Sequence, residues 1–214
     1  MKLYNLDHSP YATRVRMQVY KKGLDIAVEP PPEALRTPEF MARFPLGKIP
    51  VLEFDDGSHI ADSWVIMEYL EETNPEVMLK PTEPLARAQM LALARYADTC
   101  LGPSGVLPLF ALVGSAGGTE GADAQLSALD QEFARLERLL GQLPDFTARE
   151  LHLGDIALAP HMEYALLLAP LFGMEQPLSA YPGVSAWRDW VLDDAAIARC
   201  ANEMLTAARA FFGG

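Results

Sequence analysis

Cysteine is nearly absent: Cys100 and Cys200 are the only two in 214 residues. Thiols so far apart in sequence supply neither a disulfide framework nor the close spacing of a metal site, so two buried thiols and no metal are expected. Positive charge is also scarce, with 17 Lys and Arg against 29 Asp and Glu and a formal net charge of −12. A phosphate backbone or an anionic lipid surface would be repelled, which argues against nucleic-acid and membrane partners. Any anionic ligand must then be held locally, by a helix N-terminus, backbone amides or a particular Lys or Arg. No apolar stretch reaches the roughly 20 residues of a membrane span; the run 156–171 is broken by Pro160, His161 and Glu163. The N-terminus also lacks the basic start, apolar run and small-residue cleavage site of a leader, so a cytoplasmic protein is expected.

What is present is apolar surface. Half of the residues are hydrophobic, enough for the core of one large domain or two modest ones, and a disordered chain is excluded. Residues 1–80 alternate strand and helix signals in the order β-α-β-α-β-β-α: strands at 2–6, 26–28, 49–54 and 58–60, and helices at 11–22, 33–44 and 64–72. Gly23 ends the first helix, and Asp55-Asp56-Gly57 forms a hairpin turn, since Asp and Gly tolerate positive φ. From Pro84 onward no strand pair remains. Helical spacing recurs at 85–100, with a possible resumption through 112 after an interruption at Gly102-Pro103, and again at 123–140, 155–168, 184–192 and 195–211. An α/β domain over 1–80 and an all-helical domain over 85–214 follow, joined by Lys80-Pro81-Thr82-Glu83-Pro84, whose prolines discourage a continuous helix. The stretch 114–121 reads as a loop.

Three segments can carry chemistry. His8-Ser9-Pro10-Tyr11-Ala12 lies between the first strand and first helix, where unpaired amides and the macrodipole favour an anion. A thiol with pKa ~8.5 is mostly protonated at neutral pH, and lowering it by about two units takes roughly 2.7 kcal/mol of preferential interaction with the thiolate. A hydroxyl hydrogen bond from Ser9 plus a helix terminus can supply that. The alternative is that Ser9 only caps the helix. The segment is also similar to the Cys-Pro-Tyr-Cys redox motif with Ser9 and Ala12 in place of both thiols, which rules out dithiol exchange. Gly47-Lys48-Ile49-Pro50-Val51-Leu52 places a proline at a strand start. With Ile49-Pro50 cis, the backbone of Ile49 turns outward to pair with an extended ligand; with it trans, Pro50 is an ordinary edge residue. Asp62-Ser63 precedes a helix, where the carboxylate suits an ammonium and the amides with Ser63 suit a carboxylate, the two charges of an amino-acid head group; the alternative is a plain capping pair.

In order and spacing the three segments resemble the cytosolic glutathione transferase family over nearly the whole chain. Ser9-Pro10-Tyr11 before Arg14-Val15-Arg16 resembles the serine-type sites of its zeta, tau and theta-like classes. Ile49-Pro50-Val51-Leu52 is similar to the family's cis-proline motif, Asp62-Ser63 to its γ-glutamyl-binding pair, and Gly154-Asp155-Ile156-Ala157 to the start of its central helix. The resemblance implies a thioredoxin-like domain plus a helical domain. It also implies glutathione as co-substrate, Ser9 as the catalytic residue and a homodimer. Glutathione would contact Ser9, Lys48, Ile49, Pro50, Asp62 and Ser63, with Lys48 or Arg36 at its glycine carboxylate. A small hydrophobic electrophile would sit near Tyr11, Val106, Leu107 and Phe110, unless those last three are core. A non-catalytic binding or interaction module of the same fold is the rival reading. The sequence departs from the family where His152 replaces the usual Ser or Thr cap, implying a weaker helix start or a different partner for Asp155. Tyr4, one residue out of register with the tyrosine-type position, reads as core, as do Trp64, Trp187 and Trp190; His8 reads as a solvated turn residue.

Overall fold

The computed structural model describes residues 1–113 and 121–213. Its first half follows the expected order, with β1 at Lys2–Tyr4, α1 at Pro10–Lys22, β2 at Ala27–Glu29 and α2 at Pro38–Arg43, then β3 at Val51–Glu53, β4 at His59–Ala61 and α3 at Ser63–Thr73. The four strands form one mixed sheet in the order β2-β1-β3-β4, with β1 parallel to β2 and β3 antiparallel to both its neighbours. Each strand is three residues long. Leu3 pairs with Leu52 and Tyr4 with Val51. Because side chains alternate across a strand, the leucines enter the main core with Val15 and Ile66, whereas Tyr4 and Val51 face Phe40 and Phe44. Tyr4 is therefore core, as its register implied.

Turn chemistry closes these elements where the sequence placed it. Gly23 adopts φ 63° after α1, and the Leu24 amide donates to Val19 O at 3.0 Å, the left-handed helix ending that only glycine adopts without penalty. Gly57 takes φ 83° in the hairpin.

The helical half opens on one continuous run: α4 at Pro84–Tyr96, a π-helical segment at Ala97–Val106 and α5 at Leu107–Val113. The interruption expected at Gly102-Pro103 is instead a widening. Pro103 has no amide to give, and the two flanking glycines are closely overlain: a Cβ on Gly102 would sit 2.9 Å from Ala97 O, and one on Gly105 2.9 Å from Leu129. The ladder opens to longer turns and the helix runs on through 30 residues. That run is long and apolar enough by length and composition to cross a membrane. Its inner face, however, is bundle core, with Met90, Leu93, Ala97 and Leu101 fully buried.

Then come α6 at Ala122–Leu140, α7 at Leu153–Leu168, α8 at Pro182–Leu192 and α9 at Ala195–Gly213. The loop expected at 114–121 lies, apart from Gly121, outside the described residues. The central helix α7 is buried along most of its length, and its start corrects the expectation for His152. Asp155 Oδ2 accepts the His152 amide at 3.0 Å, and His152 Nδ1 lies 3.3 Å from the Asp155 amide and 2.8 Å from Asp155 Oδ2. An imidazole thus completes the reciprocal box that a hydroxyl usually closes. Arg149 donates to both Asp155 oxygens at 2.7 and 2.9 Å, and Trp187 Nε1 to Oδ1 at 2.9 Å. Burial alone would raise the Asp155 pKa, but the hydrogen bonds and charges of Arg149 and His152 outweigh it and hold the carboxyl far below its usual range.

Of the two thiols, Cys200 is buried and Cys100 only half-buried, which corrects the expectation for the latter. Burial pushes the Cys200 thiol up to about 12.

Candidate active site

Ser9 ends the loop from β1 and caps α1. Its backbone is extended (φ −82°, ψ 120°), and its Oγ accepts the Ala12 amide at 3.3 Å. Capping and thiolate stabilisation are compatible here, because the cap uses an oxygen lone pair and leaves the hydroxyl proton free to donate. The first turn of α1 holds no acidic residue to oppose an anion.

The loop is pinned carbonyl by carbonyl. Leu6 O accepts the Ser9 amide at 2.8 Å and Ser9 O the Thr13 amide at 2.9 Å. Asp7 O accepts from Arg16 Nη2 at 3.0 Å, and His8 O from Tyr164 Oη, on α7, at 2.5 Å. Arg16 also reaches Glu203 of α9 at 3.2 Å. His8 is not the solvated turn residue expected: its ring stacks on Phe211 at 4.4 Å, and burial lowers its pKa against the opposing pull of Asp7.

The Ile49–Pro50 bond is cis, and among the described residues none of the backbone hydrogen bonds outside helices and strands engages Ile49. Lys48 is exposed beside it, and Arg36 is exposed at φ 65°. Asp62, also exposed, has φ 78°, a conformation that costs a non-glycine residue on the order of 1–3 kcal/mol. Its Oδ1 caps α3 by accepting the Trp64 and Val65 amides at 2.9 and 3.2 Å. Ser63 is buried, and its Oγ faces inward, taking Nε and Nη2 of Arg14 at 2.9 and 2.5 Å. That hydroxyl serves Arg14, so what Ser63 offers a ligand at the α3 terminus is its backbone amide.

Arg14 is the residue whose role the sequence left unassigned. Buried in α1, it also donates to Asp98 Oδ1 of the π-helical segment at 2.6 Å and so ties α3 and the helical half to one guanidinium. Its partner lies 84 residues away, and no local signal marks such a pair. Arg14 also lies over the Tyr11 ring at 5.2 Å, while His161 of α7 meets that ring edge-on at 4.8 Å. His161 is fully enclosed, and burial, reinforced by Arg14, pushes its pKa down to about 4.

Of the three residues offered for a second ligand, Val106 is core. Leu107 is exposed, and Phe110 is half-buried against Phe211, Phe212 and Tyr164. The Phe211 contact links Phe110 to His8, so an aromatic wall contributed by the last turn of α9 stands beside the Ser9 loop. A separate cavity of about 360 Å³ lies between the 78–82 connection and the loop at 143–152; none of Ser9, Ile49, Asp62 or Tyr11 lines it.

A four-stranded mixed sheet, a cis-proline before β3, a helix N-terminus behind Ser9 and an appended helical bundle define a thioredoxin-like protein with a second, helical domain. Sequence comparison sharpens this. Residues 3–78 match the family model for the glutathione S-transferase N-terminal domain, and residues 119–189 that for the C-terminal domain. The chain is 33% identical over 198 residues to glutathione S-transferase 1 of Dianthus caryophyllus, covering 88% of this chain and 86% of that one. It is 30% identical over 191 residues to maleylacetoacetate isomerase of Pseudomonas aeruginosa, covering 86% and 87%. Among solved structures, a glutathione S-transferase from Rhodospirillum rubrum superposes with a TM-score of 0.77 at 26% identity, over 92% of this chain and 89% of that one. The chain belongs to the glutathione transferase family.

Proposed function

We propose that this protein binds glutathione along the β3–α3 edge and holds its thiolate at Ser9 for attack on a small hydrophobic electrophile. The geometry of Ser9 carries the reading: a cap acceptor with its proton still to give, at the N-terminus of a helix whose first turn holds no acidic residue. The γ-glutamyl carboxylate would take the Ser63 amide and its ammonium Asp62. The Ile49 backbone would pair with the cysteinyl residue, next to Pro50, and Lys48 or Arg36 would meet the glycine carboxylate. The electrophile would lie against Phe110 and Phe211 at the junction between a domain spanning 1–80 and one spanning 85–214. We place the protein in the cytoplasm as a homodimer, in a detoxifying role.

Isomerisation, the activity for which the Pseudomonas relative is named, is the second reading and would use the same glutathione thiolate. Calorimetric titration with glutathione tests both. One site per chain is the expected result, and an absence of binding favours the non-catalytic module instead.

A further inference from the structure

We propose that the cavity between the 78–82 connection and the loop at 143–152 is a second binding site, one that takes a small organic carboxylate with an apolar body. None of the residues assigned to glutathione lines it, and it stands or falls separately from that reading. Its volume of about 360 Å³ lies within the range of ordinary small-molecule sites, about 300–1,000 Å³. Apolar side chains reach it from both sides: Met78, Leu79 and Pro81 from the connection, and Leu143, Pro144 and Leu151 from the loop before α7. The wall at Leu79 is held before any ligand arrives. Leu79 is buried, its amide donates to Glu71 Oε1 of α3 at 2.7 Å, and its carbonyl accepts the Leu153 amide of α7 at 2.8 Å. Glu71 is fixed in turn by Lys22 at 2.8 Å. A preformed wall avoids the ordering cost that otherwise weakens binding.

The polar groups set among these walls are mostly donors. In a chain of net charge −12, the lining holds one acid, the exposed Glu150, against Lys80, Arg149 and His152. Lys80 is paired with Glu68 and Arg149 with Asp155, so neither is a free charge. His152 differs from both. Its side chain is nine-tenths buried. Nδ1 accepts the Asp155 amide, whereas Nε2 has no hydrogen-bond partner among the described residues. Nε2 is not among the sealed polar atoms that lack partners, so the ring presents it to the cavity it lines. With Nδ1 an acceptor, the ring proton sits on Nε2 and makes that atom a donor. Gln89 of α4, half-buried in the same lining, has an amide that is also without a partner among the described residues. Unmatched donors between apolar walls fit a ligand whose one polar end accepts hydrogen bonds, and a carboxylate accepts several at once.

Calorimetric titration with 4-phenylbutyrate and with its alcohol, 4-phenylbutanol, tests the site, each run with and without excess glutathione. Wild type is expected to bind one 4-phenylbutyrate per chain, equally well in both conditions. His152→Ser places a hydroxyl at the cap, so the box with Asp155 can still close, and removes Nε2. It is expected to weaken 4-phenylbutyrate about 10-fold and to leave 4-phenylbutanol as in wild type. Ala86, half-buried in α4, also lines the cavity; Ala86→Trp fills the space and is expected to abolish binding of both compounds. A wild type that does not bind 4-phenylbutyrate, displacement by glutathione, equal affinities in wild type and His152→Ser, equal losses of acid and alcohol in that variant, or undiminished binding to Ala86→Trp overturns the proposal. Should His152→Ser fail to fold, Ala86→Trp decides. A wild type that binds no glutathione bears on the Ser9 site and not on this one.

Discussion

Asp62 holds a positive φ of 78° while capping α3 with the same side chain. Glycine would relieve the backbone, and at a cap position it gives up only a few tenths of a kcal/mol. Asp62→Gly is therefore expected to leave the protein as stable or about 1 kcal/mol more stable while weakening glutathione binding. Thermal melts and calorimetry on one preparation check this, and a variant both less stable and equally tight would count against a binding role. At this scale the sequence was readable wherever chemistry is local. Gly23, Gly57 and the Asp62 cap follow from residue type and neighbours. His152 was misjudged because cap preferences describe hydroxyls and carboxylates, whereas here an imidazole completes the box with Asp155. Arg14 and Asp98 could not be paired, since nothing local brings together residues 84 apart.

Between elements, the contact of α7 with the π-helical segment and α1 encloses His161. A Cβ on Gly102 would lie 3.2 Å from its ring, and the ring edge meets Tyr11. Burial lowers the folded pKa from 6.5 to about 4, so between those values the unfolded chain binds more protons and stability rises with pH. The contribution is complete above about 6.5 and is lost as pH falls toward 4, on the order of 3 kcal/mol in all. His161→Asn can keep the donor to Ala157 O, and chemical denaturation across that window is expected to give a flatter slope than in wild type. An equal slope would place the acid sensitivity elsewhere. The helix carrying Gly102 was itself read as interrupted because Gly-Pro ordinarily ends an α-helix, and the sequence rule makes no provision for a wider turn that keeps the chain helical.

Across the whole molecule, the two halves share one structure around the Ser9 loop. Arg14 spans α1, α3 and the π-helical segment, Tyr164 holds the His8 carbonyl from α7, and Phe211 reaches back from α9 to stack on His8. That the strands lie in the first part of the chain and helices follow from Pro84 was legible from the loss of strand signals; the aromatic closure by the C-terminal helix was not, because it depends on how the bundle sits against the sheet. Several large apolar side chains remain in water, among them Leu46 at 60%, Val65 at 51% and Leu85 at 64% exposure, as expected if another copy covers part of this surface. Sedimentation at micromolar protein is expected to return twice the chain's mass, and the mass of one chain would contradict the homodimer.

The central claim is that Ser9 stabilises a bound thiolate. It is tested most directly by titrating glutathione into wild type and Ser9→Ala while following the ultraviolet thiolate band against pH. The account predicts binding to both proteins, with the bound thiol's pKa about two units higher in the variant. Equal thiol pKa values in the two proteins would contradict it and leave Ser9 as a helix cap alone.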